Sequence, residues 1–280
     1  MKKLLLTTTA FAMTAGVAAA DITLSGTSRF GVQYDGSDFS QDHRTRLNFT
    51  GSGETDDGVA FGVFSRVQIA SGGTGVFSGS NIFISFEGLK LTVGNTDGAV
   101  ASRVGLYNGG IGYNGSLGWG TGANLQSSFQ EFASDGAGNN ATLISYDIDG
   151  FGVSASMNYA GNGVEDSFEI AASYSMDGFT VGLGYQNGSG DIAASATYSM
   201  GDIAVGGVLY YQDGGDTNFR LHGSYAIDAL SLRASYNRIA DTNEFGVGAH
   251  YDLGGGMNVN AAAGRLGGNE RLAIGANFSF

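Results

Sequence analysis

The chain has 280 residues, of which 49 are Gly, with no Pro, no Cys and only 14% charged residues. Ordinary usage is ~7% Gly and ~25% charged. Without Pro or a Gly-X-Y period it is not collagen, and without Cys it holds no disulfide scaffold, zinc–thiolate site or cysteine nucleophile. With 42% hydrophobic residues, 18 Phe and 13 Tyr, it is too apolar for disorder.

Residues 1–20 differ from the rest. Lys2 and Lys3 precede an apolar stretch, Leu4 to Ala19, that ends in Val17-Ala18-Ala19-Ala20. A charged start, a short apolar middle and a small-residue exit describe a secretory signal peptide. A membrane anchor fits less well, because Thr7, Thr8, Thr9 and Thr14 dilute a stretch already too short to span. The mature chain then starts at Asp21. Without the leader lysines, 13 basic residues fall to 11 against 26 acidic ones, and the net charge moves from −13 to −15. Such a charge argues against nucleic acid as a partner.

No apolar run in the mature chain reaches the ~18 residues of a membrane helix. Strict alternation recurs instead. Along Phe179-Thr-Val-Gly-Leu-Gly-Tyr185 the odd positions are large and apolar and the even ones small or polar. Phe219 to Tyr225 and Leu272 to Phe280 repeat the pattern, and successive strand residues point to opposite faces. Sixteen such segments fall near 22–34, 43–51, 58–70, 82–87, 89–95, 142–148, 151–160, 167–176, 179–187, 192–200, 203–212, 218–227, 230–238, 244–253, 257–265 and 271–280. Glu87-Gly88, Asp177-Gly178, Gly201-Asp202 and Asp228-Ala229 are tight hairpin signals. In the second half, short turns follow the even strands and longer loops the odd ones, as in an up-and-down barrel with both termini on one side of a membrane.

Tyr146, Tyr174, Tyr198, Tyr225 and Tyr251 each precede a short turn, spaced 28, 24, 27 and 26 residues apart. Tyr159, Tyr185, Tyr211 and Tyr236 sit at the opposite strand ends. All nine lie on the apolar face, which suits aromatic girdles at two lipid interfaces. A soluble β-sandwich or β-solenoid is the alternative, but the solvent face of a sandwich would be heavily charged. Here that face is mostly Gly, Ala, Ser, Thr and Asn, which suits a wet lumen. A barrel without edges also leaves no place for Pro. The expected fold is an all-β, 16-stranded antiparallel transmembrane barrel.

One connector, about 46 residues between Asn95 and Thr142, breaks the rhythm. Its Leu106, Tyr107, Ile111, Tyr113, Leu117 and Trp119 give it apolar residues of its own. It reads as an inserted loop, 95–141, folded into the lumen to narrow it. A long external loop held in a neighbouring subunit is the other reading. By parity Arg29, Arg44, Arg46, Arg66, Lys90, Arg220, Arg233 and Arg271 point inward, as does His222. Lipid explains inward, since an outward charge at mid-depth costs ~2–4 kcal/mol. It does not explain clustering. Arg29, Arg44, Arg46 and Arg66 sit on three consecutive strands, and the loop offers Asp97, Glu131 and Asp135 with its own Arg103. A basic wall facing an acidic loop makes a constriction with a transverse field. The competing reading pairs the arginines with inward acids such as Glu87 or Asp147.

Other motifs carry less. Gly110 to Gly115 fits G-x-G-x-x-G without a strand–helix unit. Gly109 to Leu117 half-resembles a calcium β-roll repeat in a single copy. His43, His222 and His250 show no metal spacing. His250 and Asp252 share a face, but no Ser/His/Asp grouping marks a catalytic centre, so no enzyme activity is expected. Tyr210 and Phe64 point inward, and two rings make no slide for a dedicated solute. The acidic loops (Asp35, Asp38, Asp42; Glu165, Asp166; Asp213, Asp216) suit divalent cations near anionic lipid.

Phe245-Gly-Val-Gly-Ala-His-Tyr-Asp-Leu-Gly-Gly-Gly-Met257 with Phe278-Ser279-Phe280, Asp21-Ile-Thr-Leu-Ser-Gly26, Arg44-Thr-Arg-Leu-Asn-Phe49 and Gly94-Asn-Thr-Asp-Gly98 resemble the general diffusion porins of Gram-negative bacteria, especially the alphaproteobacterial, Rhodobacter-type family. The resemblance implies a homotrimer in the outer membrane, in contact with lipid and lipopolysaccharide. It implies passive diffusion of ions and small hydrophilic solutes without a required cofactor, and calcium among the acidic loop residues. A solute-specific outer-membrane channel is the alternative. The third loop of such porins is usually richer in acids than the three found here, so the resemblance does not carry cation selectivity.

Overall fold

A computed structural model describes residues 21–115, 117, 129–159 and 166–280. The proposed leader, Trp119 and Glu165 lie outside the described residues. In chain order the strands are β1 (Asp21–Tyr34), β2 (Phe39–Glu54), β3 (Ala60–Ala70), β4 (Val76–Phe77), β5 (Asn81–Phe86) and β6 (Leu89–Gly94). A short helix α1 (Ala99–Arg103) follows, then β7 (Ala141–Ile148), β8 (Phe151–Asn158), β9 (Ser167–Met176), β10 (Phe179–Gln186) and β11 (Ile192–Met200). The rest are β12 (Ile203–Tyr211), β13 (Thr217–Ile227), β14 (Leu230–Ile239), β15 (Thr242–Gly254), β16 (Met257–Leu266) and β17 (Asn269–Ser279). Apart from β4 and β5, each strand pairs antiparallel with its chain neighbour, and β1 also pairs with β17, so the sheet closes. β4 and β5 both pair with β3 and form one stave broken at Ser78–Ser80, giving a 16-stranded barrel.

Sequence alternation decides which face is which. Ile22, Leu183, Val247 and Ile274 project outward and are exposed, Ile274 by 64%. The buried residues are instead the inward Ala171, Ala193, Ser156, Asn237 and Arg220, together with the inserted loop. A sandwich would bury the first set. All nine girdle tyrosines are outward and exposed. The short turns work because Asp149, Asp177, Asp228 and Glu87 take positive φ of 45–51°, three of them followed by a Gly at 78–84°, the two left-handed positions of a type I′ hairpin.

Two outer connectors differ from the expected longer loops. The β14–β15 and β16–β17 links are tight turns at Ala240-Asp241 and Gly267-Gly268, all four residues at positive φ. Ile239 and Leu266 extend their strands because both are buried inside, at 2% and 7% exposure. Val76 and Phe77, read as connector, belong to the fourth stave.

Candidate pore constriction

The inserted loop starts where Gly94, at φ 113°, turns the chain inward. Asn95 is almost fully buried and staples the loop's two ends. Its Nδ2 donates to the carbonyls of Gly79 and Ala133, and its Oδ1 accepts from the N–H of Ala133 at 3.0 Å. Asn139 returns the pattern, donating to the carbonyls of Thr96 and Glu131.

α1 has Gly98 at its N-cap and no side-chain cap of its own. The barrel wall supplies one. Ser156 Oγ accepts the N–H of Ala99 at 2.8 Å, and Glu169, 1% exposed, accepts those of Val100 at 3.0 Å and Gln130 at 2.7 Å. Buried N–H groups left unpaired would cost about 1–3 kcal/mol each. Val100, Val104, Leu106 and Phe129 pack on Leu143, Ala171, Ala193, Val208, Tyr210 and Ile239. Ile111, Tyr113 and Leu117 pack on Ala262, Leu266 and Ala273 of the last strands. Close approach demands glycine beneath. A Cβ at Gly184 would stand 2.7 Å from Val100, and one at Gly248 2.5 Å from Ile111.

So seated, the loop leaves a cavity of about 620 Å³ against β2, β3 and β5. Its lining brings together Arg44, Arg46 and Arg66 from the wall with Asp97 and Glu131 from the loop. Tyr107, Phe132, Phe64, Ser134, Asn81 and Thr96, none named as a constriction residue from sequence, complete it. Arg46 Nε donates to Gln68 at 2.7 Å, and Gln68 Nε2 donates to Asp135 at 3.4 Å, so Asp135 joins the arginines through a carboxamide. Arg66 donates to Asn48 and Ser134 and lies beside the edge-to-face pair Phe64–Phe132, at 5.6 and 5.0 Å from their centroids. Asp97 accepts the N–H of Phe132 at 2.8 Å, and the Tyr107 hydroxyl donates to Glu131. Burial first, with Asp97 and Glu169 adding like charge, holds the Glu131 carboxyl above its ordinary range, against the hydrogen bond from Tyr107. Burial and that carboxylate push the Tyr107 hydroxyl upward as well.

The remaining expected site residues separate. Arg29 pairs with Asp42 at 3.0 Å and lines an adjoining cavity of about 690 Å³ together with Arg44, Tyr107, Tyr113, His222 and Arg233. Burial raises the Tyr113 hydroxyl to about 12. Two expectations need correction. Arg103 is not at the constriction. Its helix turns it to the β7–β8 wall, where it grips Asp147, with one nitrogen at 3.0 Å, and donates to Ser154 at 2.7 Å. Arg220 does not line open water. It is fully buried and donates to the carbonyls of Leu106 at 2.8 Å and Asn108 at 3.0 Å, clamping the loop. Lys90 is exposed near a short turn, its ammonium 4.4 Å from the Phe83 centroid, and Arg271 is half-buried on the inner face of β17.

Two of the acids expected near calcium are already engaged. Asp42 lies in β2 and is paired with Arg29. Asp35 Oδ1 accepts the N–H groups of Ser37 and Asp38 and the Ser37 hydroxyl, which lower the pKa of this carboxyl to about 2. Among the described residues no three His, Asp or Glu side chains converge.

A family model of Gram-negative porins matches residues 7–271. The chain is 31% identical to a porin of Fuscovulum blasticum over 93% of its own length and all of that protein. It is 35% identical to a porin of Rhodobacter capsulatus over 94 residues, 33% of this chain and 30% of that one. A solved mutant of Rh. blastica porin superimposes with a TM-score of 0.84 at 27% identity, covering 93% of this chain and 100% of the other. A triple mutant of Rhodopseudomonas blastica porin gives the same values.

Proposed function

Because the chain belongs to the Gram-negative porin family and forms an outer-membrane channel for passive diffusion of ions and small hydrophilic solutes, we propose that its passage narrows between two walls of opposite charge. Arg44, Arg46 and Arg66 form one and Asp97, Glu131 and Asp135 the other. The family and the fold are those of channels, not enzymes. One observation carries the reading. Ion pairs such as Arg29–Asp42, Arg103–Asp147 and Arg238–Asp241 form elsewhere, whereas among the described residues no carboxylate lies within ion-pair distance of Arg44, Arg46 or Arg66. Their charges face Asp97 and Glu131 across open space. Water aligns in such a field, polar solutes align with it, and an apolar solute must strip ordered water to pass.

The test is single-channel conductance in a planar bilayer under a salt gradient. Large ohmic steps are expected, and Arg44→Ala with Arg46→Ala should raise conductance and move the reversal potential toward cations. An unchanged reversal potential in the double variant refutes the constriction.

The outer face supports a homotrimer assembled through β1–β3. There Ser28 and Thr45 face outward at mid-strand, their hydroxyls 3.0 Å apart, with Gln41 and exposed His43 above them. Polar groups at membrane depth need protein partners. Between the tyrosine rows of β8–β15 the outward residues are instead Ile, Leu, Val, Met, Phe, Ala and Gly. All nine girdle tyrosines lie on or beside β7–β15, whereas β1–β6 carry Tyr34 alone. The tyrosine-bearing arc is the lipid-facing one, with lipid and lipopolysaccharide as its neighbours, and residues 1–20 act as the export signal.

A further inference from the structure

The 690 Å³ cavity and the constriction share two lining residues, Arg44 and Tyr107, and therefore form halves of one passage meeting between that guanidinium and that ring. The halves differ in charge. The constriction has acids and bases, whereas the adjoining half is lined by Arg29, Arg44, Arg233 and His222 with no Asp or Glu among its lining residues. Asp42 neutralises Arg29. Arg44 lies close enough to Arg29 and Arg66 to feel their like charges, with Asp42 its opposing neighbour. Among the described residues Arg233, across the space on β14, has one weak hydrogen bond, to Ser231 Oγ at 3.5 Å, and no ion pair. Two guanidiniums on different walls thus lack carboxylate partners, in a space bordered by the carboxamides of Asn108, Asn258 and Asn277. Like charges held this way need counter-ions, and guanidinium matches planar or tetrahedral oxyanions.

We propose that this half of the passage is a station for small oxyanions, phosphates and carboxylates, held between Arg44 and Arg233, and that the channel favours anionic solutes. The inference rests on the porin reading. The many acids of the chain do not cancel it. The nearest short-turn acid along β14 is Asp228, five residues from Arg233. That is a rise of roughly 16 Å, about twice the ~8 Å screening length at physiological salt.

Inorganic phosphate is the probe, added to either side of a planar bilayer holding the full-length protein in potassium chloride. Phosphate should lower the open-channel current in a saturable way. Arg233→Gln should weaken its apparent affinity about tenfold, with Arg233→Lys recovering most of the loss. Arg238→Gln, at an exposed outer turn, should leave the affinity as it was. The wild-type reversal potential should report anion preference. Equal phosphate effects in wild type and Arg233→Gln, no effect in either, or a cation-preferring reversal potential overturn the proposal while leaving the porin reading intact. Absence of conductance steps from folded protein overturns both.

Discussion

Removing Glu169 tests whether the wall really caps the inserted loop. In Glu169→Ala the N–H groups of Val100 and Gln130 lose their acceptor at a site 1% exposed. Two buried donors left unpaired cost about 1–3 kcal/mol each, so the seat should weaken by roughly 2–6 kcal/mol, or between one and four decades in its opening equilibrium. Glu169→Gln should cost less, about 1–3 kcal/mol, because its amide oxygen still accepts one N–H while its NH₂ confronts the other. Barrel staves should be spared, since β9 keeps its ladders to β8 and β10. Open-channel noise at fixed voltage and hydrogen exchange at Val100 and Gln130 report the seat, while heat-modifiable mobility on gels reports the barrel. Wild-type noise and wild-type amide protection in a folded Glu169→Ala protein would refute the cap.

Three other outcomes are expected. Glu131 holds its proton more tightly than an ordinary carboxyl because of burial. As pH falls, its negative charge should therefore vanish before that of an unperturbed glutamate, moving the reversal potential toward anions; Glu131→Gln should remove this step. Thr45→Trp on the β1–β3 outer face should convert an SDS-resistant oligomer to monomer in unheated samples, whereas Ala196→Trp on the tyrosine-bearing arc should not. Tyr107→Ala should enlarge the passage between the two cavities, read as faster uptake of larger neutral sugars in liposome swelling; uptake unchanged from wild type would mean that Tyr107 does not border the path.

Strand parity made the barrel legible. The outward Leu183 or Ile274 and the inward Arg46 follow from period-two alternation, and the tyrosine spacing gives hairpin length. The site was legible where a charge sits on a strand whose parity is certain. Parity says inward, but it does not say what lies inside. Arg220 and Arg233 look alike in sequence, yet one is sealed beneath Leu106 and Asn108 and the other meets open space. Arg103 sits on a helix whose orientation depends on Ser156 and Glu169, contacts 57 and 69 residues away. Some small residues, read as a sign of water, have the opposite cause. Gly184, Gly248 and Ala193 are small because the loop lies directly on them. Glu169 carried a signal of its own, an acid on the inward face of a strand otherwise lined by Ser and Ala.

The way the loop is held dictates an order of assembly. Asn277 donates to the carbonyl of Tyr113 across 164 positions, and Arg220 reaches Leu106 across 114. Half of the loop's footing is therefore made of strands synthesised long after it, including the strand that meets β1 to complete the circle. Until β13 to β17 are in place, Ile111, Tyr113 and Leu117 have no wall to rest on. Seating the loop and closing the cylinder thus become one late, cooperative event, with a large share of long-range contacts behind it. A chain cut short before β16 loses the wall that shapes its bore as well as the last part of its circumference.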